Sequence, residues 1–270
     1  MARRQCYNRL LPAMQKLTLT AELIAEFTGT LVLMLLGLGV NAMVVLFGKG
    51  LPGEVVNGGY SSITFGWGIG VVMGITVAGK ITGAHLNPAV TITLAALRNF
   101  PWSKVGPYCL AQLAGAFTAA AIVFLNYRPA FARYDPGLEK SAGVFATFPG
   151  FPESLMPGFI DQVIGTAILL LLIFAITDER NQPSGNLTPI LVGLVVVAIG
   201  MSFGGMHGYA INPARDFGPR LFTAVAGFRD NGLTDGSMIF VVPIIGPIAG
   251  GLLGGLLYDK LIRPNLPAVS

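Results

Sequence analysis

The tripeptide Asn-Pro-Ala occurs twice, as Asn87-Pro88-Ala89 and as Asn212-Pro213-Ala214, each time at the start of a short apolar stretch. Proline is suited to the first turn of a helix, where its missing N–H costs nothing and its φ is already helical. Asparagine immediately before it is a good N-cap, because its side-chain oxygen accepts from the first free amides. Each triplet is therefore a helix start. One copy alone would be an ordinary capped helix. Two copies at matching places in a repeated sequence restrict the fold far more.

The surrounding sequence belongs in a membrane. Of 270 residues, 53% are hydrophobic and only 11% charged, where a soluble domain carries about 25% charged residues. Surface that meets water needs charged groups, and surface that meets lipid excludes them. The 36 glycines suit helices that approach closely. A net charge of +4 does not imply a nucleic-acid partner, since the basic residues sit at the ends of apolar segments rather than on one face. Cys6 and Cys109 are too few and too distant for a disulfide framework. His85 and His207 lack the spacing of metal ligands, and no nucleophile–base set accompanies them. Neither a metal, a cofactor nor an enzyme is expected.

A spanning helix takes about 20 mostly apolar residues. Six stretches qualify, at about 21–47, 62–77, 106–125, 158–177, 187–205 and 237–257. The first is too long for a signal-peptide core and reads as a retained span. Two further stretches, 86–96 and 211–225, are too short to cross and read as re-entrant segments. The pattern repeats. Glu26-Phe-Thr-Gly-Thr30 opens one half and Gln162-Val-Ile-Gly-Thr166 the other, each followed by an Asn-Pro-Ala and a Gly/Ala-rich helix. The expected fold is an all-α membrane protein of six transmembrane helices plus two re-entrant half-helices. It forms a single domain over 1–270, with inverted repeats at about 18–127 and 155–262. Three spans per half make the halves insert in opposite directions.

Orientation follows from the basic residues. Arg3, Arg4, Arg9, Lys16, Lys80, Arg98, Lys104, Arg180, Lys260 and Arg263 outnumber those at the opposite ends. This bias predicts cytoplasmic N- and C-termini in a multi-pass protein of the plasma or inner membrane. The Pro-, Gly- and aromatic-rich loop 126–157 is then external and ordered against the mouth.

Half-helices entering from opposite faces can meet N-terminus to N-terminus near the midplane. Such a junction is tolerated only where it is buried or faces water, which a pore supplies. Each N-terminus carries roughly half a positive charge, so the junction repels cations and protons. Asn87 and Asn212 can donate to a passing oxygen. The residues leading in, Gly83, Ala84, His85 and Leu86, then Gly208, Ala210 and Ile211, can turn carbonyls into the pore as acceptors.

The segments Thr82-Gly-Ala-His-Leu-Asn-Pro-Ala-Val-Thr91 and Gly208-Tyr-Ala-Ile-Asn-Pro-Ala-Arg-Asp-Phe-Gly-Pro-Arg220 resemble those of the major intrinsic protein family, the aquaporins and aquaglyceroporins. The resemblance extends over about residues 18–265 and implies an aquaporin-like fold. Asp216 and Pro243-Ile244 resemble the glycerol-facilitator branch. The resemblance places Trp67, Gly200, Tyr209 and Arg215 at the selectivity filter. Trp67 and Tyr209 would offer an apolar corner to carbons, and Arg215 fixed donors to hydroxyls. Gly200 would leave room for a carbon backbone where water-selective relatives carry histidine. Tyr209 departs from the facilitators' phenylalanine. Glu26 is implied to hold the first re-entrant loop. Its counterpart is Gln162, or Asp161 in a shifted register, and Asp216 also falls in the supporting set. The implied function is a passive channel in the lipid bilayer for glycerol and other small neutral polyols, with some water. The alternative is a water-selective channel of the same fold. A homotetramer is implied as well.

Overall fold

In the computed structural model, residues 17–47, 58–181 and 185–267 are described. Arg3, Arg4, Cys6, Arg9, Lys16 and Lys49 lie outside them. Among the described residues the regular elements are all helices, without strands. In chain order they form α1 (Leu19–Phe47), α2 (Gly59–Thr82), the short α3 (Pro88–Leu97), α4 (Trp102–Tyr134), α5 (Met156–Thr177), α6 (Thr188–Phe203), the short α7 (Pro213–Ala226) and α8 (Val242–Leu257). Six helical stretches among the described residues are long and apolar enough to cross a membrane. Their outer faces stay apolar: Ile24, Ile69, Leu110, Leu125 and Ile164 are all exposed. That surface is costly in water and suited to lipid.

Packing relations come in pairs that exchange the two halves. α1 packs on α2 and α4, and α5 on α6 and α8; α4 meets α7, and α8 meets α3. Small residues allow the close approaches. A Cβ at Gly70 of α2 would lie 2.8 Å from the Leu33 carbonyl of α1. Gly250 and Gly254 of α8 face Val163 and Ala167 of α5 in the same way, so both glycine-rich stretches are packing faces.

The main difference from the sequence reading is α4. The apolar run suggested a span ending near residue 125, with 126–157 as a loop. The helix instead continues through Pro129 to Tyr134. Its extension is held from the side: Phe131 is buried in an aromatic cluster with Phe124, Phe145 and Phe228, at ring separations of 5.2–5.8 Å. Tertiary burial outweighs the polar composition and the proline. The remainder of that loop does fold against the bundle, through the 3-10 turn Ala142–Val144. Tyr108 is buried and donates to Glu22 at 2.7 Å.

Candidate functional site

Both Asn-Pro-Ala triplets begin helices, as their chemistry dictates. Asn87 Oδ1 accepts from the Ala89 amide at 2.9 Å. Asn212 Oδ1 accepts from Ala214 and Arg215 at 3.0 and 3.2 Å. The two starts meet. Asn87 Nδ2 donates to the Ile211 carbonyl at 2.9 Å, and Asn212 Nδ2 donates to the Leu86 carbonyl at 2.8 Å. This crossed pair uses one N–H of each amide and leaves the second free to donate. It also means that the Leu86 and Ile211 carbonyls already accept one bond each.

The lead-in segments are held in an unusual backbone. Gly83, Ala84, Leu86, Gly208 and Ile211 all have positive φ, between 43° and 80°. For the non-glycines this costs of order 1–3 kcal/mol each, so something must hold them. In the first half that support is the buried Glu26. Its carboxylate accepts from the His85 and Leu86 amides at 3.0 and 2.7 Å, from Thr82 Oγ1 at 2.5 Å and from Gln112 Nε2 at 2.8 Å. In the second half Gln162 occupies the corresponding place. It accepts from the Ile211 amide at 2.9 Å and donates to the Gly208 carbonyl at 2.7 Å. The shifted register with Asp161 is not adopted; Asp161 Oδ2 is buried without a hydrogen-bond partner among the described residues. Because Gly208 spends its carbonyl on Gln162, that oxygen belongs to the support behind the loop.

One cavity of about 580 Å³ follows this junction. Trp67, Tyr209 and Arg215 line it at one end, and Asn87, Asn212, Gly83–Leu86, Ala210 and Ile211 along its middle. Arg98, Asp178 and Arg263 line it at the other end. The remaining wall is aliphatic, including Val71, Ile75, Leu169, Val192 and Val196. A row of polar atoms thus runs along an otherwise apolar tube.

The four expected filter residues converge, with one change of role. The Arg215 guanidinium lies 4.0 Å over the Trp67 ring, and its NH1 donates to the Phe145 carbonyl at 3.1 Å. The Tyr209 ring meets Tyr60 edge-on, and its hydroxyl has no hydrogen-bond partner among the described residues. Gly200 is buried beneath Tyr209 rather than facing the cavity. A Cβ there would lie 2.7 Å from Tyr209 Cζ and 3.0 Å from a Thr64 methyl. The room that Gly200 leaves is therefore taken by the Tyr209 ring.

Asp216 turns away from the cavity and ties the mouth together. It accepts from the Thr147 amide and hydroxyl at 2.7 and 2.8 Å, and from Arg220 Nε at 2.7 Å. Arg220 is fully buried and also donates to the Thr147 and Asn231 carbonyls at 2.6 and 2.9 Å. The i,i+4 spacing of Asp216 and Arg220 was the available signal for that pair; sequence reasoning passed over Arg220. It also passed over Asn41 of α1, which joins Trp67 to Val144. At the opposite end Arg98 makes a bidentate pair with Asp259, at 2.6 and 2.7 Å, over the Phe174 ring. This fastens the end of α3 to the end of α8.

Neither histidine is solvated. His85 packs against Phe100 and Tyr108 and bonds Thr91 Oγ1 at 3.1 Å. His207 is fully buried, with no partner for either ring nitrogen among the described residues, and burial pushes it down to about 4. Among the described residues no group of three His, Cys, Asp or Glu is placed to hold a metal.

Six spans, two half-helices meeting at their N-termini and one polar-striped cavity between them define a polytopic membrane channel. The chain belongs to the major intrinsic protein family, whose model matches residues 13–258. It is 44% identical over 248 residues to aquaglyceroporin-2 of Rhizophagus irregularis, covering 89% of this chain and 77% of that protein. It is 40% identical over 262 residues to the glycerol uptake facilitator protein of Haemophilus influenzae, covering 93% and 97%. The X-ray structure of the aquaglyceroporin from Plasmodium falciparum matches with a TM-score of 0.81 at 35% identity, covering 92% of this chain and 98% of that one.

Proposed function

We propose that this chain is a passive channel for glycerol that also passes water and other small neutral polyols and excludes ions and protons. The observation that carries the reading is the constriction, where the Arg215 guanidinium lies against the Trp67 ring beside Tyr209. A fixed fork of N–H donors stands next to an aromatic corner. Glycerol has one edge of hydroxyls and one of C–H groups, and the pairing suits both edges at once. In this reading Trp67, Tyr209 and Arg215 select, Gly200 seats Tyr209, and Asn87 and Asn212 donate to the permeant in turn. Glu26, Gln162 and Asp216 keep the two loops in place. The relatives named as aquaglyceroporins and as a glycerol uptake facilitator support the same permeant.

Ion exclusion has two sources in this account: the Arg215 charge at the mouth, and the facing N-termini of α3 and α7. The single domain is an inverted repeat of about 18–127 and 155–262, which the paired packing of the halves supports. The protein works as a homotetramer with one pore per subunit, in the plasma or inner membrane, with both termini cytoplasmic. Arg98, Arg180 and Arg263 gathered at one end of the cavity support that orientation.

The test is a flux measurement on proteoliposomes holding the full chain. Glycerol equilibration should rise well above that of empty vesicles with no ion gradient imposed, and proton leak should not. Water flux without glycerol flux would establish the water-selective alternative instead.

A further inference from the structure

The three groups at the constriction come from separate parts of the chain. Trp67 is on α2, Arg215 is in the first turn of α7, and Tyr209 is in the loop before it. A stacked pair such as Trp67 and Arg215 selects by shape only if both planes are fixed. Arg215 is fixed by the Phe145 carbonyl. The question is what fixes the indole, and what fixes Phe145.

Asn41 of α1 meets both needs. Its Oδ1 accepts from Trp67 Nε1 at 3.1 Å, and its Nδ2 donates to the Val144 carbonyl at 3.0 Å. Asn41, Trp67, Val144 and Phe145 are all buried. Val144 and Phe145 are consecutive, so two neighbouring carbonyls are held from two sides, one by Asn41 and one by Arg215. The bonds close a ring: Asn41 to Trp67, Trp67 stacked on Arg215, Arg215 to Phe145, and Val144 back to Asn41. Asn41 does not line the cavity. A polar side chain inside a spanning helix is costly unless it is used, and here it is used in both directions.

We infer that Asn41 is a specificity-positioning residue: it sets the plane of the Trp67 indole and, through Val144, the carbonyl that aims Arg215, and so governs the ratio of glycerol to water passage. The inference rests on the reading of Trp67 and Arg215 as the selecting pair. An ordinary structural brace would affect stability and both permeants together. A positioning residue shifts the ratio, and shifts it less once the indole N–H is gone.

The experiment measures glycerol and water permeability of proteoliposomes holding equal amounts of the full-length protein. The chains are the parent, Asn41→Leu, Trp67→Phe and the double variant. Asn41→Leu should lower glycerol permeability relative to water about fivefold, the scale of one lost buried hydrogen bond. In the Trp67→Phe background the same change should move the ratio by clearly less than in the parent, because of the two bonds it removes the one to the indole is already absent and only the one to the Val144 carbonyl remains. If Asn41→Leu does not give a well-behaved protein, Asn41→Ser retains one hydroxyl in its place and is read by the same ratio. A shifted ratio in Trp67→Phe with none in either Asn41 variant overturns the positioning role and leaves the filter reading standing. No shift in Trp67→Phe itself overturns both. Equal and multiplicative losses in all variants assign Asn41 to a structural brace.

Discussion

Adding a single methyl group at Gly200 tests the constriction directly. A Cβ there would sit 2.7 Å from Tyr209 Cζ and 2.8 Å from Cε2. To reach ordinary contact the ring must retreat by about 0.7 Å or more. Movement on the Gly200 side is blocked, since the Gly200 carbonyl itself accepts from the Tyr60 hydroxyl at 2.8 Å and a Thr64 methyl lies 3.0 Å from the new atom. Among the described residues the Tyr209 hydroxyl has no hydrogen-bond partner to resist a shift, so the ring moves into the cavity that it lines. Overpacking by one methyl typically costs about 1–3 kcal/mol. If half of that falls on a permeant wide enough to touch the ring, glycerol permeability drops roughly fivefold, within a range of about two- to twelvefold. Water is narrower and should lose no more than about threefold by the same conversion. Stopped-flow light scattering on proteoliposomes of Gly200→Ala measures both, with thermal unfolding in detergent as a check on the fold. Shortening the ring in Gly200→Ala/Tyr209→Leu should restore glycerol passage. An unchanged glycerol permeability, or an equal loss for both permeants, would refute the placement of the constriction at Tyr209.

Two further outcomes follow from the support around the loops. Gln162→Leu leaves the Ile211 amide and the Gly208 carbonyl without their partner; at about 1–3 kcal/mol for each buried orphan, the thermal midpoint should fall and glycerol and water flux should fail together, while full flux in this variant would contradict the supporting role. His207 is neutral when folded because burial lowers it to about 4, against about 6.5 when unfolded. As pH falls through 6.5 the unfolded chain gains a proton that the folded chain refuses, so stability is complete above that value. It declines by about 1.4 kcal/mol per unit between 6.5 and 4. Thermal unfolding across this range should show that slope, flattened in His207→Asn, and a slope that survives the substitution would rule His207 out as its source.

Much of the architecture was legible because lipid imposes a simple rule on composition. The spans stood out as apolar runs, and the half-helices as capped starts too short to cross. What could not be read lies where a distant contact decides. The continuation of α4 past residue 125 depends on Phe131 joining rings from Phe145 and Phe228, and no local pattern records that. The choice between Asp161 and Gln162 was open in sequence because both are polar and adjacent; only the helix phase settles which one faces the loop. Gly200 was legible as a space, but not that the space belongs to Tyr209. Asn41 carries no local signal of its role, because its partners lie 26 and 103 residues away.

The crossed bonds at the junction have a consequence for how the chain is made. Asn87 finds its acceptor on the second half, and Asn212 finds its acceptor on the first. Neither half can therefore complete its own lining. While synthesis is under way, the first re-entrant loop must sit in the bilayer with an unmet amide until the second arrives. Backbone in that position is tolerated only where water or protein receives it. The two halves are thus obligate partners in assembly, and a channel severed between α4 and α5 should regain its pore only when both fragments are inserted together.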